Sequence, residues 1–472
     1  MLITTGLIFS TCLAVYLLFW SGRHYSIDGI VMFEYAKPLL FQRSFQMSPP
    51  VYWVDQEITV STWSIGMTLV YIPVLAVLAA VFPGNLLYRQ IPYDPHNPYY
   101  PLLLENSPYR YASLIHLLLT AATAALVYIL AQQLKLSRRA SAAAALVFGL
   151  ASPAAPYARY DFAQPLVSLC LVLTIILFLQ ARRGSLWFLA ATGLALGITI
   201  LVRTEMALVA GVPVCLAVLW EALFHANARQ WSWRSRLLRL LAYALPLIAM
   251  LLLILLLNIQ RFGSPLNTGY STGYFFFAPL RLMTSVSGIL FSPAWGLICF
   301  FPLTILAVVG LCQIWKQDRL LAVLFGALLA GAVLVYASWG DWVGGRSWGP
   351  RFLVPVLPYL AVLAAMGYGR LRTLSVGLRV GLAGALLLAG VLASLRGLLF
   401  DGMAYMGNPY EFGRAPFLFS WKELAAPQAV DVFWVQKVIH GQPVGYLFPL
   451  LGLPLLAGLA IAWMRWFAAA RG

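Results

Sequence analysis

Two carboxylates stand where apolar segments end. Asp28 lies in Tyr25-Ser-Ile-Asp28-Gly-Ile-Val-Met-Phe-Glu34-Tyr-Ala-Lys37-Pro, and Asp161 in Pro156-Tyr-Ala-Arg159-Tyr-Asp161-Phe-Ala-Gln-Pro165. A carboxylate at such a boundary can take a proton from an acceptor hydroxyl or ligate a divalent cation beside a phosphate. The structural alternative for Asp28 is to cap a helix running from Gly29 to Lys37. For Asp161 the alternative is a surface ion pair with Arg159, worth under about 1 kcal/mol. Glu34 lies about 240° around a helix from Asp28 at 3.6 residues per turn. It therefore suits Lys37 at i+3 and does not share the face of Asp28.

Arginines supply the complementary charge. Arg203-Thr-Glu205 joins two apolar segments with almost no loop, which puts an Arg and a Glu at a depth where ionisable groups are costly and tend to be functional. The alternative is a self-satisfied pair with Arg203 snorkelling outward. The most distinctive stretch is Trp339-Gly-Asp341-Trp342-Val-Gly-Gly345-Arg346-Ser-Trp348-Gly-Pro350-Arg351-Phe352. Its glycines let backbone approach a ligand, Arg346 and Arg351 can grip phosphate oxygens in a fork, and Trp348 offers a flat face to a sugar ring or isoprenoid tail. Tryptophan is also ordinary interfacial composition. Tyr270, in the polar turn Gly263-Ser-Pro265-Leu-Asn267-Thr-Gly269-Tyr270, joins this candidate set.

The elements that must position these groups follow from hydropathy. Of the 472 residues 62% are hydrophobic and 10% charged, and mean hydropathy is +0.84. A soluble domain is excluded, because such chains carry about 25% charged residues. Apolar runs of roughly 20 residues recur, each long enough to cross a hydrocarbon core. They lie near residues 2–20, 110–134, 140–155, 163–180, 186–203, 205–224, 240–258, 296–315, 320–338, 352–369, 380–399 and 446–464. The predicted fold is all-α, a polytopic transmembrane bundle of about twelve spans. The first run has neither a basic n-region nor a small-residue cleavage site, so it is expected to remain as a span.

Charge sets the orientation. Twelve crossings put both termini on one side, with sixteen basic residues and two acidic ones, Glu221 and Asp318. That side is predicted to be cytoplasmic. The net charge of +16 thus reflects membrane topology, and a nucleic-acid partner is not expected. Asp28, Asp161 and every long loop then face outward. A further apolar segment, Ser64 to Phe82, breaks this parity and is expected to lie in-plane or re-entrant, with an ordinary span as the alternative. Without repeats or linkers the chain is taken as one integral-membrane domain, residues 1–472. Its outer face is built from residues 21–109, 259–295, 339–351 and 400–445, with 259–295 as an interfacial flap.

Some chemistry finds no support. Cys12, Cys170, Cys215, Cys299 and Cys312 fall in or beside apolar runs without ligand spacing, so they read as small core hydrophobes. There is no P-loop, HExxH, Gly-x-Ser-x-Gly, or GxGxxG after a strand.

The order of these segments resembles the GT-C superfamily of polytopic glycosyltransferases, which includes protein O-mannosyltransferases, the lipid A aminoarabinose transferase and oligosaccharyltransferase. The resemblance rests on the Asp28-x5-Glu34-x-Ala36-Lys37 run, the Tyr-Asp161 loop, Leu-Phe-Ser-Pro293 and Trp-Gly-Pro-Arg351-Phe. It implies a polyprenyl-phosphate sugar donor, a glycan, lipid or protein acceptor, and in-plane helices in the first outer loop. It maps the catalytic or metal-associated carboxylate onto Asp28 and the second-loop acid onto Asp161. Gly29 stands where many relatives have a second acid. No cofactor is required by the sequence; a divalent cation (Mg or Mn) would fall to Asp28 and Asp161. The expected reaction is inverting transfer on the extracytoplasmic face of an inner membrane, with Arg346, Arg351, Arg203 and Arg159 binding the donor beside Trp348 and Tyr270. Two other classes stay open. A lipid-linked sugar flippase would use a buried charge such as Arg203, although the internal repeat typical of transporters is not visible. A non-catalytic polysaccharide-assembly subunit would use Asp28 and Arg346 only to anchor loops.

Overall fold

The computed structural model describes residues 1–48, 50–53, 56–83, 108–224, 231–270, 275, 277–345, 347–400 and 430–469. It is a helical bundle with one short antiparallel hairpin. The helices are α1 (Leu2–Leu18), α2 (Ile27–Glu34), α3 (Gly66–Val81), α4 (Leu114–Gln133), α5 (Arg138–Leu150), α6 (Ala154–Arg159), α7 (Gln164–Ala181), α8 (Leu186–Val202) and α9 (Val212–Phe224). They continue as α10 (Trp233–Phe262), α11 (Pro279–Phe291), α12 (Leu297–Phe300), α13 (Thr304–Gln317), α14 (Arg319–Ala337), α15 (Leu357–Arg370), α16 (Val376–Leu399), α17 (Phe433–Ile439) and α18 (Val444–Ala469). The hairpin pairs β1 (Val51–Trp53) with β2 (Gln56–Ile58).

Every apolar run picked out in the sequence contains helix. Among the described residues eight helical stretches are long and apolar enough to cross a membrane, not twelve. The difference arises because α1 and α8 have 17 residues, α5 has 13 and α13 has 14, shorter than the roughly 20 residues of an upright crossing. The protein is an integral, multi-pass membrane protein. The interior is formed by α4, α5, α7, α8 and α15, while α10, α16 and α18 expose most of their apolar side chains. That is the pattern of helices that face lipid.

Small residues let the inner helices touch. A Cβ on Gly310 of α13 would collide with the Leu363 carbonyl of α15, and one on Gly367 of α15 with the Leu306 carbonyl of α13. Gly193 of α8 abuts the Tyr243 carbonyl of α10 in the same way. Close backbone approach of this kind drives helix association where water supplies no hydrophobic force.

The two ends of the bundle hold different sets of ion pairs. Arg182 binds Glu221 at 2.6 Å and Asp318 at 2.5 Å, so both acidic residues of the basic side meet one arginine. The termini share this end: Trp466 Nε1 donates to Thr4 Oγ1 at 2.9 Å, and Arg139 reaches the Phe467 carbonyl at 3.5 Å. At the other end α3 meets the bundle repeatedly. Thr204 N donates to Ser64 Oγ at 3.3 Å, Tyr71 and His116 hydrogen-bond at 2.7 Å, and Phe82 stacks on Tyr111 at 5.9 Å. Both ends of α3 thus touch residues at the same end of the bundle. Residues 259–295, expected as a loop, are partly helical: α10 continues to Phe262, where Gly263 stops it at φ 71°, and α11 follows. Of the expected loop 400–445, residues 401–429 lie outside the described residues, and α17 follows them.

Candidate active site

Ser26, not Asp28, caps α2. Its backbone is extended and its Oγ accepts from Gly29 N at 3.0 Å. Asp28 is therefore released from capping and occupies the first turn of α2, where it lines a cavity of about 330 Å³. Arg203, Glu205, Tyr270, Asp341 and Arg351 line the same cavity, with an aromatic wall from Trp63, Phe275, Tyr336, Trp339 and Phe352. Four of the residues singled out in the sequence, Asp28, Arg203, Arg351 and Tyr270, are brought together here.

The turn that carries Asp28 is fastened from below by Asp161. This carboxylate is fully buried; it accepts from His24 Nδ1 at 2.8 Å, from Tyr25 N at 3.0 Å and from Ser26 N at 2.7 Å. Burial raises its carboxyl, but the His24 bond and charge, with help from His116 and Ser26, hold it below the ordinary range. Gly29 is explained by the same contact, since a Cβ at that position would strike the Asp161 carboxylate. A second acid there is sterically impossible in this packing.

Arg351 is reached through a backbone that only glycine tolerates. Gly344 and Gly345 have φ of 82° and 66° and turn the chain back. Arg351 Nη1 then donates to the Gly344 carbonyl at 3.0 Å, Nη2 pairs with Asp28, and the guanidinium lies 3.7 Å over the Phe162 ring. Arg203 pairs with Glu205, whose Oε1 also accepts from the Tyr336 hydroxyl at 3.1 Å. Gln164 joins the two arginines. With its side-chain oxygen turned toward them it accepts from Arg351 Nε at 3.2 Å and Arg203 Nη1 at 2.9 Å. Tyr270 has its phenol pushed up to about 12, chiefly by burial, and remains a hydrogen-bond donor near neutrality. Asp341 reaches solvent at one edge but is otherwise crowded by protein, and this burial raises its carboxyl despite the Gly345 backbone bond and the nearby Arg351.

Other expected site residues lie elsewhere. Asp161 and Asp28 do not converge as a pair on one cleft, because Asp161 is consumed beneath the turn. Arg159 is also fully buried and does not bind Asp161; it clamps the Leu398 carbonyl and Asp431, which Arg23 binds at 3.1 Å. Trp348 is 1% exposed, packs edge-on against Phe300 at 5.3 Å and does not line the cavity. Arg346 lies outside the described residues. Glu205, Asp341 and Gln164 were not among the expected site residues. The first two could have been found as acids adjoining chosen arginines, whereas nothing in the sequence marks Gln164.

No cluster of three or more metal-ligating side chains occurs among the described residues. A cation shared by Asp28 and Asp161 does not fit, since the Asp161 oxygens already take three hydrogen bonds away from the cavity.

Residues 67–260 match the family model of dolichyl-phosphate-mannose-protein mannosyltransferases. The match includes Asp161, Gln164, Arg203 and Glu205 and excludes Asp28 and Arg351. Among solved structures, the oligosaccharyltransferase of Archaeoglobus fulgidus in its apo form aligns with a TM-score of 0.50 at 11% identity, over 85% of this chain and 56% of that one. The chain thus shares the fold of that oligosaccharyltransferase. Cupriavidus metallidurans ArnT, solved bound to undecaprenyl phosphate, aligns at TM-score 0.49 and 16% identity over 97% of this chain and 76% of that one. No curated protein matches the sequence. In this chain the cavity is assembled from parts far apart in sequence, since Asp28 and Arg351 flank the matched region on either side.

Proposed function

We propose that the protein is a membrane glycosyltransferase that moves a sugar from a polyprenyl-phosphate donor to an acceptor hydroxyl, with inversion. The observation that carries this reading is the cavity in which the Asp28 carboxylate faces two guanidiniums bridged by Gln164. The dolichyl-phosphate donor in the name of the matched family supports a polyprenyl-phosphate donor, and the bacterial ArnT of the comparison was solved with undecaprenyl phosphate bound. The acceptor is a glycan, lipid or protein.

In the proposed reaction the donor phosphate enters between Arg351 and Arg203. Arg351 exchanges part of its bond to Asp28 for phosphate oxygens, which frees the carboxylate. Asp28 takes the proton of the acceptor hydroxyl as the acceptor oxygen bonds to the anomeric carbon. The bond from that carbon to the phosphate oxygen breaks, and the electron pair leaves on the phosphate. The guanidiniums stabilise the charge that grows there, and preorganised donors of this kind are often the largest catalytic effect. Trp63 and Trp339 supply an apolar wall for the sugar or lipid. If a divalent cation takes part, the carboxylates available to it in the cavity are Asp28, Asp341 and Glu205.

The charge bias supports placing both termini in the cytoplasm and the cavity on the extracytoplasmic face of the inner membrane. A test uses the purified protein in lipid with a panel of polyprenyl-phosphate sugars and a membrane extract as acceptor. Release of polyprenyl phosphate that needs acceptor and is lost in Asp28→Asn is the expected result. Near-normal release by that variant would overturn the mechanism.

A further inference from the structure

A second large cavity lies away from the Asp28 site. It is a groove of about 800 Å³ between α5, α15 and α16, with walls mostly of alanine, leucine and valine. Helices α16 and α5 touch closely at one end of it. There Gly390 packs on the Ala151 carbonyl, and Ser394 Oγ donates to the Ser152 carbonyl at 2.9 Å. Toward the other end Arg379, Ala383 and Leu387, spaced i, i+4 and i+8 on α16, line one wall, and Ala140, Ala143 and Val147 of α5 line the opposite one.

The charge at that second end is of one sign. Arg139 in the first turn of α5, Arg372 just beyond α15 and Arg379 in the first turn of α16 all line the groove, and no carboxylate does. Arg379 Nε is buried without a hydrogen-bond partner, and the guanidinium stands 5.5 Å from the Tyr368 ring. From Arg139 to Leu150 the α5 wall runs about 17 Å at 1.5 Å per residue. That is close to half of a hydrocarbon core about 30 Å thick. The groove thus has the depth of one leaflet, an apolar interior and a cationic mouth at the end of the bundle that carries both termini.

We propose that this groove is a binding site for an anionic glycerophospholipid, with an acyl chain between α5 and α16 and the phosphate against Arg139, Arg372 and Arg379. The polyprenyl donor is not its occupant, because the donor phosphate must meet Arg203 and Arg351 at the opposite end of the bundle. That exclusion rests on the proposed transfer reaction, whereas the lipid site itself rests on the groove alone.

The test uses the full-length protein, delipidated in detergent and then offered dioleoylphosphatidylglycerol, dioleoylphosphatidylcholine or inorganic phosphate. Melting temperature and lipid retained by native mass spectrometry are read for each. The expected result is a higher melting temperature and one retained lipid with phosphatidylglycerol, and a much smaller shift with phosphatidylcholine. Affinity for phosphatidylglycerol should weaken by roughly fivefold for each arginine changed to glutamine. Ala143→Phe, which fills the groove and leaves the arginines intact, should lose the retained lipid while still melting cooperatively in phosphatidylcholine. Equal shifts with both lipids would overturn the proposal, as would equal protection by inorganic phosphate, undiminished retention by Ala143→Phe, or recovery of a polyprenyl phosphate as the retained lipid.

Discussion

The two ends of the bundle use the same residue types to different effect. At the end that carries the termini, Arg182 holds Glu221 and Asp318, and Asp318 also caps α14 by accepting from Leu321 N at 3.1 Å. The cavity beside this cluster is only about 10 Å³, at the limit of what a single water occupies. At the other end Arg351, Arg203, Asp28 and Glu205 make similar ion pairs around a cavity of about 330 Å³. An ion pair in a membrane protein is thus no sign of function by itself. It becomes a candidate site where there is room for a ligand and where an arginine can exchange its carboxylate for a phosphate.

The comparison breaks first at Asp28. Asp28→Asn should lower transfer by roughly 10²- to 10⁴-fold, the usual worth of a positioned base, whereas Glu221→Gln should leave the rate within about twofold. Equal losses in a transfer assay would erase the distinction between the ends. Arg351→Lys keeps the charge but loses the fork, and the expected fall in kcat is about 10²-fold. Gln164→Leu leaves both arginines in place but removes the acceptor that aligns them; kcat should fall by about tenfold with little change in melting temperature. An unchanged kcat would show that the bridge does not position the arginines.

Asp161 sharpens the contrast between support and chemistry. Because its folded carboxyl is held below the ordinary value, its stabilisation is fully present above about pH 4 and is lost as pH falls through the depressed value. Melting temperature should therefore drop on acidification below about pH 4. Asp161→Asn should cost about 1–3 kcal/mol at neutral pH through lost hydrogen bonds, and it should flatten that acid limb. The smallest effect is expected at the Arg182 cluster. Arg182→Gln, at a partly exposed ion pair, should shift stability by about 1 kcal/mol or less and leave transfer unchanged.

Much of this was legible before the structure. Asp28, Arg203 and Arg351 were identifiable because a charge at a membrane boundary is costly and so demands a reason. The same argument also selected Asp161 and Arg159, and the search for a flat apolar face selected Trp348; all three are supports. Burial separates the two groups, and burial depends on which helices meet. Arg159 is hidden because α6 packs beneath Leu398 and Asp431, more than 200 residues away. Gln164 was invisible for the same reason: its partners, Arg203 and Arg351, reach it from separate segments.

By itself the sequence determined a helical membrane protein, the sorting of its charges between two ends and the few boundary residues able to do chemistry. Those properties follow from hydropathy and the cost of charge in lipid, which act along the chain. Only the tertiary structure decided that Ser26 caps α2 and leaves Asp28 free, that Asp161 lies beneath that turn, and that Gln164 links two arginines. Hydrogen-bond partners and cavities are made by segments distant in sequence, and their geometry exists only once the helices have packed.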